Sequence, residues 1–220
     1  MLIGTCSLVH FNGSCPGPTI QVNQGDRVRL ILENHLPEST AIHWHGLEIP
    51  YAMDGMPYSQ KPIAPGSRFA YEFTVHQNGT FFYHSNSPMQ QMMGMVGLFI
   101  LHPQQAQTPA VDHDFGFVLQ EWAVLPNNTV PNTANMEWNW LTLNGVVSPM
   151  TTPLICATRQ SGAHWSGQHW HGSPPHPSAR SYLCCDGHGS WATANLTDQQ
   201  LQKPVSSYSI QFCASITIKG

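Results

Sequence analysis

Three histidines in two short stretches carry the chemistry of this chain. Ala41-Ile42-His43-Trp44-His45-Gly46 holds two of them one residue apart, and Phe82-Tyr83-His84-Ser85-Asn86 holds the third. Side chains on a strand alternate with period two, so His43 and His45 point to the same side of a sheet. A histidine on a neighbouring strand completes a cluster of imidazoles. Neutral imidazole suits copper, zinc, iron and nickel, and the pattern therefore points to a metal site. The competing reading is a pair of core or surface histidines beside a tryptophan.

The elements that must position these side chains read as strands. Val28, Leu30 and Leu32 alternate with Arg27, Arg29 and Ile31. Phe69, Tyr71, Phe73 and Val75 alternate with Ala70, Glu72 and Thr74. Such alternation marks strands with one buried face. Further strands are expected near residues 8–13, 19–22, 41–47, 80–84 and 97–101. Pro16-Gly17-Pro18 and Gln24-Gly25-Asp26 are turns, and Asn78-Gly79 reads as a hairpin turn. Residues 51–65 form a long loop that contains Asp54-Gly55. Short strands at turn-marked intervals argue for an all-β sandwich or barrel, and little of this half reads as helix.

Composition supports that class. Only 9% of the 220 residues are charged, while 18 are Gly and 18 are Pro, which disfavours long helices. The net charge is −4 and no basic run occurs, so nucleic acid is excluded as a partner. Thirteen histidines and nine methionines stand out, and both side chains ligate copper. The six cysteines lack zinc-type C-x-x-C spacing, and Cys6 and Cys15 could pair in an oxidising compartment. No apolar run is long enough to span a membrane. No signal peptide is visible, and the chain enters its first strand almost at once, as a fragment of a longer protein would.

Residues 104–113 read as a linker. A second β-rich segment starts at 115–120, and 138–147 looks like another strand and turn around Asn144-Gly145. From about 156 the alternation stops and Ser, Gly, His, Pro and Cys crowd together. Regular pattern returns near 208–218.

Six motifs occur in order: Phe11-Asn12-Gly13, Pro16-Gly17-Pro18-Thr19-Ile20, Gly25-Asp26-Arg27-Val28, His43-Trp44-His45-Gly46, Met53-Asp54-Gly55 and Tyr83-His84-Ser85. In these the chain resembles, over residues 9–103, the N-terminal cupredoxin domain of the laccase-like multicopper oxidases. Residues 114–153, with Gln120-Glu121-Trp122 and Asn144-Gly145, are similar to the opening of the next cupredoxin domain in bacterial members, some of which have only two domains. The resemblance implies a Greek-key cupredoxin-like β-barrel, followed over 114–220 by an incomplete second cupredoxin-like domain. It implies a trinuclear copper cluster at a domain interface that reduces dioxygen to water with four electrons. By position, His43 resembles a type 2 copper ligand, and His45 and His84 resemble type 3 ligands. Asp54 stands where the family has an acidic residue that relays protons. Capping of the Asp-Gly turn is its competing role. Trp44 is read as packing. Met89, Met92, Met93 and Met95 offer a soft Cu(I) site, with core filling the favoured alternative. The implied partners are dioxygen and a small phenolic or metal-ion reductant. A homotrimer is implied for the two-domain type, and a periplasmic or secreted location for either.

The chain departs from the family twice. Asn86 stands where a type 3 ligand belongs, and an amide is a poor copper ligand beside imidazole. The later H-x-x-H-x-H and H-C-H-x-x-x-H motifs are missing, so the type 1 copper site is absent. Cys213 has no flanking histidine. Instead His169-Trp170-His171-Gly172 repeats the earlier tetrapeptide. With synonymous codons and a shift of one base, residues 174–190 can read H-R-I-H-L-H-G-H-T-F-A-V-T-G-T-E, the missing motif in its proper place. A frameshift between about Ile155 and Gln168 accounts for this. It predicts irregular chain over 160–195 and unusual exposure of Phe117, Leu119 and Trp122. The expected function is that of a copper-binding multicopper oxidase, impaired as written. The alternative is a non-catalytic copper-binding cupredoxin-like protein. Sequencing the coding DNA across residues 150–195 is expected to show a one-base shift, and codons incompatible with the shifted reading dispose of it.

Overall fold

The computed structural model describes residues 5–105, 113–122, 140–147, 150–151, 161–168, 180–184 and 209–219. The alternating segments become strands as their apolar faces require. β1 (Thr5–Phe11), β2 (Gly17–Asn23), β3 (Arg27–Asn34), β4 (Ile42–His45), β5 (Arg68–Thr74), β6 (Gly79–Ser85) and β7 (Val96–His102) follow in chain order. A 3-10 turn (Tyr51–Met53) interrupts the long loop, and one short helix, α1 (Pro88–Met92), follows β6. Among the described residues no helix is long and apolar enough to cross a membrane.

One sheet has the order β1-β13-β3-β5, where β13 is Ser209–Lys219. The other has the order β2-β7-β6-β4. Val28, Leu30 and Leu32 of β3 and Tyr71 and Phe73 of β5 meet Trp44, Tyr83, Phe99 and Leu101 of the second sheet in one core. This is a cupredoxin-like β-sandwich. Full burial of each large side chain contributes about 1.5–3 kcal/mol, so this core dominates the stability of the first 105 residues. Connections from β3 to β4, β4 to β5 and β5 to β6 each cross from one sheet to the other.

Tyr83 shows how tightly the second sheet is built. Gly17 and Gly97 are register partners on β2 and β7, and a Cβ at either position would run into the Tyr83 ring or hydroxyl. The two glycines make a slot for that ring. At its far end the hydroxyl donates to the Pro18 carbonyl at 2.7 Å. Burial pushes the phenol well above its usual pKa, which keeps it a donor.

A second sheet system follows, in the order β10-β9-β8-β11-β12. Its strands are β8 (His113–Trp122), β9 (Trp140–Leu143), β10 (Val146–Val147), β11 (Ser161–Gln168) and β12 (Arg180–Cys184). β11 runs parallel to β8 and pairs antiparallel with β12.

Several expectations are corrected. Asn78-Gly79 is not a hairpin turn, because β5 and β6 belong to different sheets. The intervening residues are held as a crossover: Gln24 Nε2 donates to the His76 carbonyl, and Asn78 Nδ2 donates to Gln24 Oε1. Irregular backbone from about 156 does not hold at β11 and β12, while β13 lies where regular pattern is expected to return. Main-chain pairing needs only matched N–H and C=O groups, and the open edges of β8 and β3 supply them whatever the side-chain pattern. The rest of 156–220 and most of the 104–113 linker lie outside the described residues. Leu119 and Trp122 are buried rather than exposed. Trp122 packs on Leu8 of the first sandwich, and its Nε1 donates to Thr142 Oγ1 at 2.9 Å. Cys15 is a free thiol and makes no bridge to Cys6.

Asn34 closes the loop that leads into the histidine strand. Its Nδ2 donates to the carbonyls of Glu38 (2.9 Å) and Ile63 (2.8 Å), and its Oδ1 accepts from Leu36 N at 2.9 Å. Asn34→Ala leaves buried backbone groups unpaired and is expected to cost at least about 2 kcal/mol. Urea unfolding measures this, and an unchanged midpoint would show that the loop holds itself.

Candidate metal centre

β4 pairs antiparallel with β6 in a register that sets His43 opposite His84, Trp44 opposite Tyr83 and His45 opposite Phe82. Directly opposed side chains share a face. Trp44 and Tyr83 therefore point into the core, and His43, His45, Phe82 and His84 point out of it. The structure brings together all three histidines singled out in the sequence. Their nearest ring nitrogens lie within 4.8 Å of one another, and the ring centroids are 5.2–5.5 Å apart.

Hydrogen bonds orient the imidazoles. His43 Nδ1 faces the Asp54 carboxylate at 3.0 Å and the Asp54 carbonyl at 3.2 Å. His84 Nδ1 faces the Ser85 carbonyl at 2.8 Å. Each Nδ1 must carry the proton to meet an oxygen, which makes each Nε2 the ring's acceptor nitrogen. His45 Nδ1 lies 3.3 Å from His84 Nε2. Two nitrogens bonded at about 2.0–2.1 Å to one ion at a tetrahedral angle stand about that far apart. The donor set thus fits a metal that takes imidazole. Burial holds the His45 pKa below its usual value, with the neighbouring His43 adding to this and Asp54 opposing it. A neutral ring is the form that ligates.

Asp54 reaches His43 because Gly55 lies directly against β4. A Cβ at Gly55 would collide with the Ile42 carbonyl, and its φ of +68° suits glycine. The Asp54 carboxylate faces the imidazole rather than its own turn, so capping does not describe its side chain. A carboxylate behind a ligating histidine fixes the ring and raises its basicity.

Met95 is fully buried, Met93 packs against the core and Met89 is exposed. At position 86 the backbone N–H extends the strand by donating to the Ala41 carbonyl at 3.0 Å.

Sequence reasoning missed a buried network behind the site. Gln90 Oε1 accepts from Ser85 Oγ (2.6 Å) and Thr40 Oγ1 (2.7 Å), while its Nε2 donates to Glu38 Oε1 (2.8 Å). It ties α1 to the residue next to His84. The helix carries two neighbouring glutamines, Gln90 and Gln91, and sequence alone does not tell which of them turns inward. Phe82 was also passed over, although its spacing of two from His84 places it on the histidine face.

Residues 3–106 match the family model described as multicopper oxidase. Copper resistance protein A of Escherichia coli is 39% identical over 113 residues, covering 51% of this chain and 19% of that protein. L-ascorbate oxidase of Cucurbita pepo var. melopepo is 41% identical over 118 residues, covering 51% of this chain and 21% of that protein. The crystal structure of Lac15 from a marine microbial metagenome superposes with a TM-score of 0.60 at 31% identity. That match covers 74% of this chain and 41% of the other, so it runs beyond the residues that the family model matches. The chain spans about a fifth of the length of these curated relatives.

Asp54→Ala removes the carboxylate behind His43 while leaving the fold intact. A loss of about 10–100-fold in metal affinity is expected. A competition titration measures it, and equal affinity in the two forms would show that the carbonyl alone orients the ring.

Proposed function

The chain belongs, through residues 3–106, to the multicopper oxidase family, and from that premise we propose that His43, His45 and His84 hold copper of the type 2/type 3 kind. The observation that carries this is the convergence of ring nitrogens: His45 Nδ1 and His84 Nε2 are 3.3 Å apart, and the Nδ1 atoms of His43 and His84 are engaged by oxygen. Of the metals that imidazole suits, the family selects copper.

In such a family the bound copper cluster supplies electron storage for the four-electron reduction of dioxygen to water. The residues of this chain position and protonate. Asp54 holds a proton on His43 Nδ1 and keeps His43 Nε2 free for a ligand. Its carboxylate, 3.0 Å from His43 Nδ1, is proposed as the group that passes protons towards the site. The Ser85 carbonyl holds a proton on His84 Nδ1 and turns His84 Nε2 towards His45. The whole protein is proposed to take single electrons from a small phenolic or metal-ion reductant, in a periplasmic or secreted setting. A two-domain form would assemble as a trimer.

A second reading has a specific observation behind it. Asn86 stands where a further imidazole belongs, and no histidine-flanked cysteine occurs in the sequence. The chain as written is then a copper-binding cupredoxin-like protein that does not turn over.

Elemental analysis after desalting tests the reading. The chain is expected to retain copper, to lose it in a His45→Ala/His84→Ala double variant, and to show neither intense blue thiolate-to-copper absorption nor phenol oxidation. Asn86→His is expected to raise copper retention when an intact further cupredoxin domain is present. A chain that retains no copper removes the proposal, and equal retention with Asn86→His removes the argument from position 86.

A further inference from the structure

We infer that Phe82 is a positioning residue of this metal centre, its ring setting the direction of the His45 imidazole towards His84. The inference rests on the copper-binding reading above.

Two of the three imidazoles have an oxygen to hold them, Asp54 for His43 and Ser85 for His84. Among the described residues His45 makes no hydrogen bond to an oxygen acceptor, and its Nδ1 faces only His84 Nε2. His45 is also the last residue of β4, so no further strand residue fixes it. What it has instead is a flat surface. The Phe82 ring stacks on it with centroids 4.3 Å apart and planes 19° apart. The same ring lies 5.4 Å from His84 at 24°. One aromatic face therefore lies along both rings whose nitrogens are 3.3 Å apart.

Phe82 itself is held from behind. It packs against a cluster of Val96 and Leu98 of β7 and Val118 of β8. Val118 belongs to the second sheet system, outside the residues that match the family model. The backing places the second segment in mechanical contact with the site, through one ring and without supplying a ligand. Offset stacking between aromatic rings has a preferred geometry, which a branched aliphatic side chain of similar volume lacks.

Phe82→Leu keeps the apolar bulk and removes the plane. Copper(II) affinity by competition titration is expected to fall about 10–100-fold, as for other groups that orient a ligand. The nitrogen superhyperfine pattern in electron paramagnetic resonance is expected to lose a contribution. Phe82→Tyr retains the plane and is expected to restore both. Phe69→Leu is the control, since Phe69 packs on the core and against Tyr71, away from the histidines. It should lower thermal stability and leave the copper signal unchanged. If Phe82→Leu fails to fold by circular dichroism, Val118→Ala carries the test, because it opens space behind the ring and should weaken affinity in the same direction. Unchanged affinity in the folded variant, or an equal loss in Phe69→Leu, overturns the inference. Absence of copper from the unaltered chain instead overturns the proposed function, and this inference with it.

Discussion

The burial of Trp44 is the interaction on which the site depends. Its ring lies within 5.2–6.0 Å, centroid to centroid, of Tyr71, Phe73, Tyr83 and Phe99. It is flanked in sequence by the two histidines, so every kilocalorie that holds it inside also holds His43 and His45 outside. A slip of one residue in the pairing of β4 and β6 would turn two imidazoles into the core and an indole into water. Full burial of such a side chain is worth about 1.5–3 kcal/mol, and the buried imidazoles would add their own desolvation cost. The ligand face is thus set from behind, by packing, before any metal is considered.

On that face the three imidazoles are held by three different means. His43 has a carboxylate and a carbonyl from one residue, His84 has a carbonyl from its own neighbour, and His45 has an aromatic plane. The loop that brings Asp54 in depends on a glycine pressed against β4. The helix behind Ser85 depends on Gln90, whose amide is fully engaged. Asp54 comes from the loop after β4, while Phe82 and Ser85 both come from β6, so damage to β6 reaches two of the three supports.

Much of this was legible in the sequence because period-two alternation reports which face of a strand is buried. Val28, Leu30 and Leu32 revealed β3, and the spacing of His43 and His45 revealed their shared face. The spacing could not reveal what pairs with what. Asn78-Gly79 has the composition of a hairpin turn, but its flanking strands pair with other partners, so the segment crosses between sheets. The burial of Trp122 was missed because it depends on Leu8, more than a hundred residues away. β11 and β12 were missed because their pairing is made by backbone groups, which no side-chain pattern reports, whereas β13 lies where the pattern returns. Asp54 lies beside His43, and its dual contact through carboxylate and carbonyl follows from the loop's path and not from its identity.

Cys15 sits where the first sandwich meets the second sheet system. Its thiol donates to the Gly94 carbonyl at 3.4 Å and lies 3.9 Å from Gln120 Oε1. Burial pushes its pKa up to about 12. Thiolate, not thiol, is the form that ligates soft metals and reacts with oxidants. Burial therefore favours the thiol form of this half-buried sulfur. A fold that gathers three imidazoles on one face thereby keeps the Cys15 sulfur in its less reactive form.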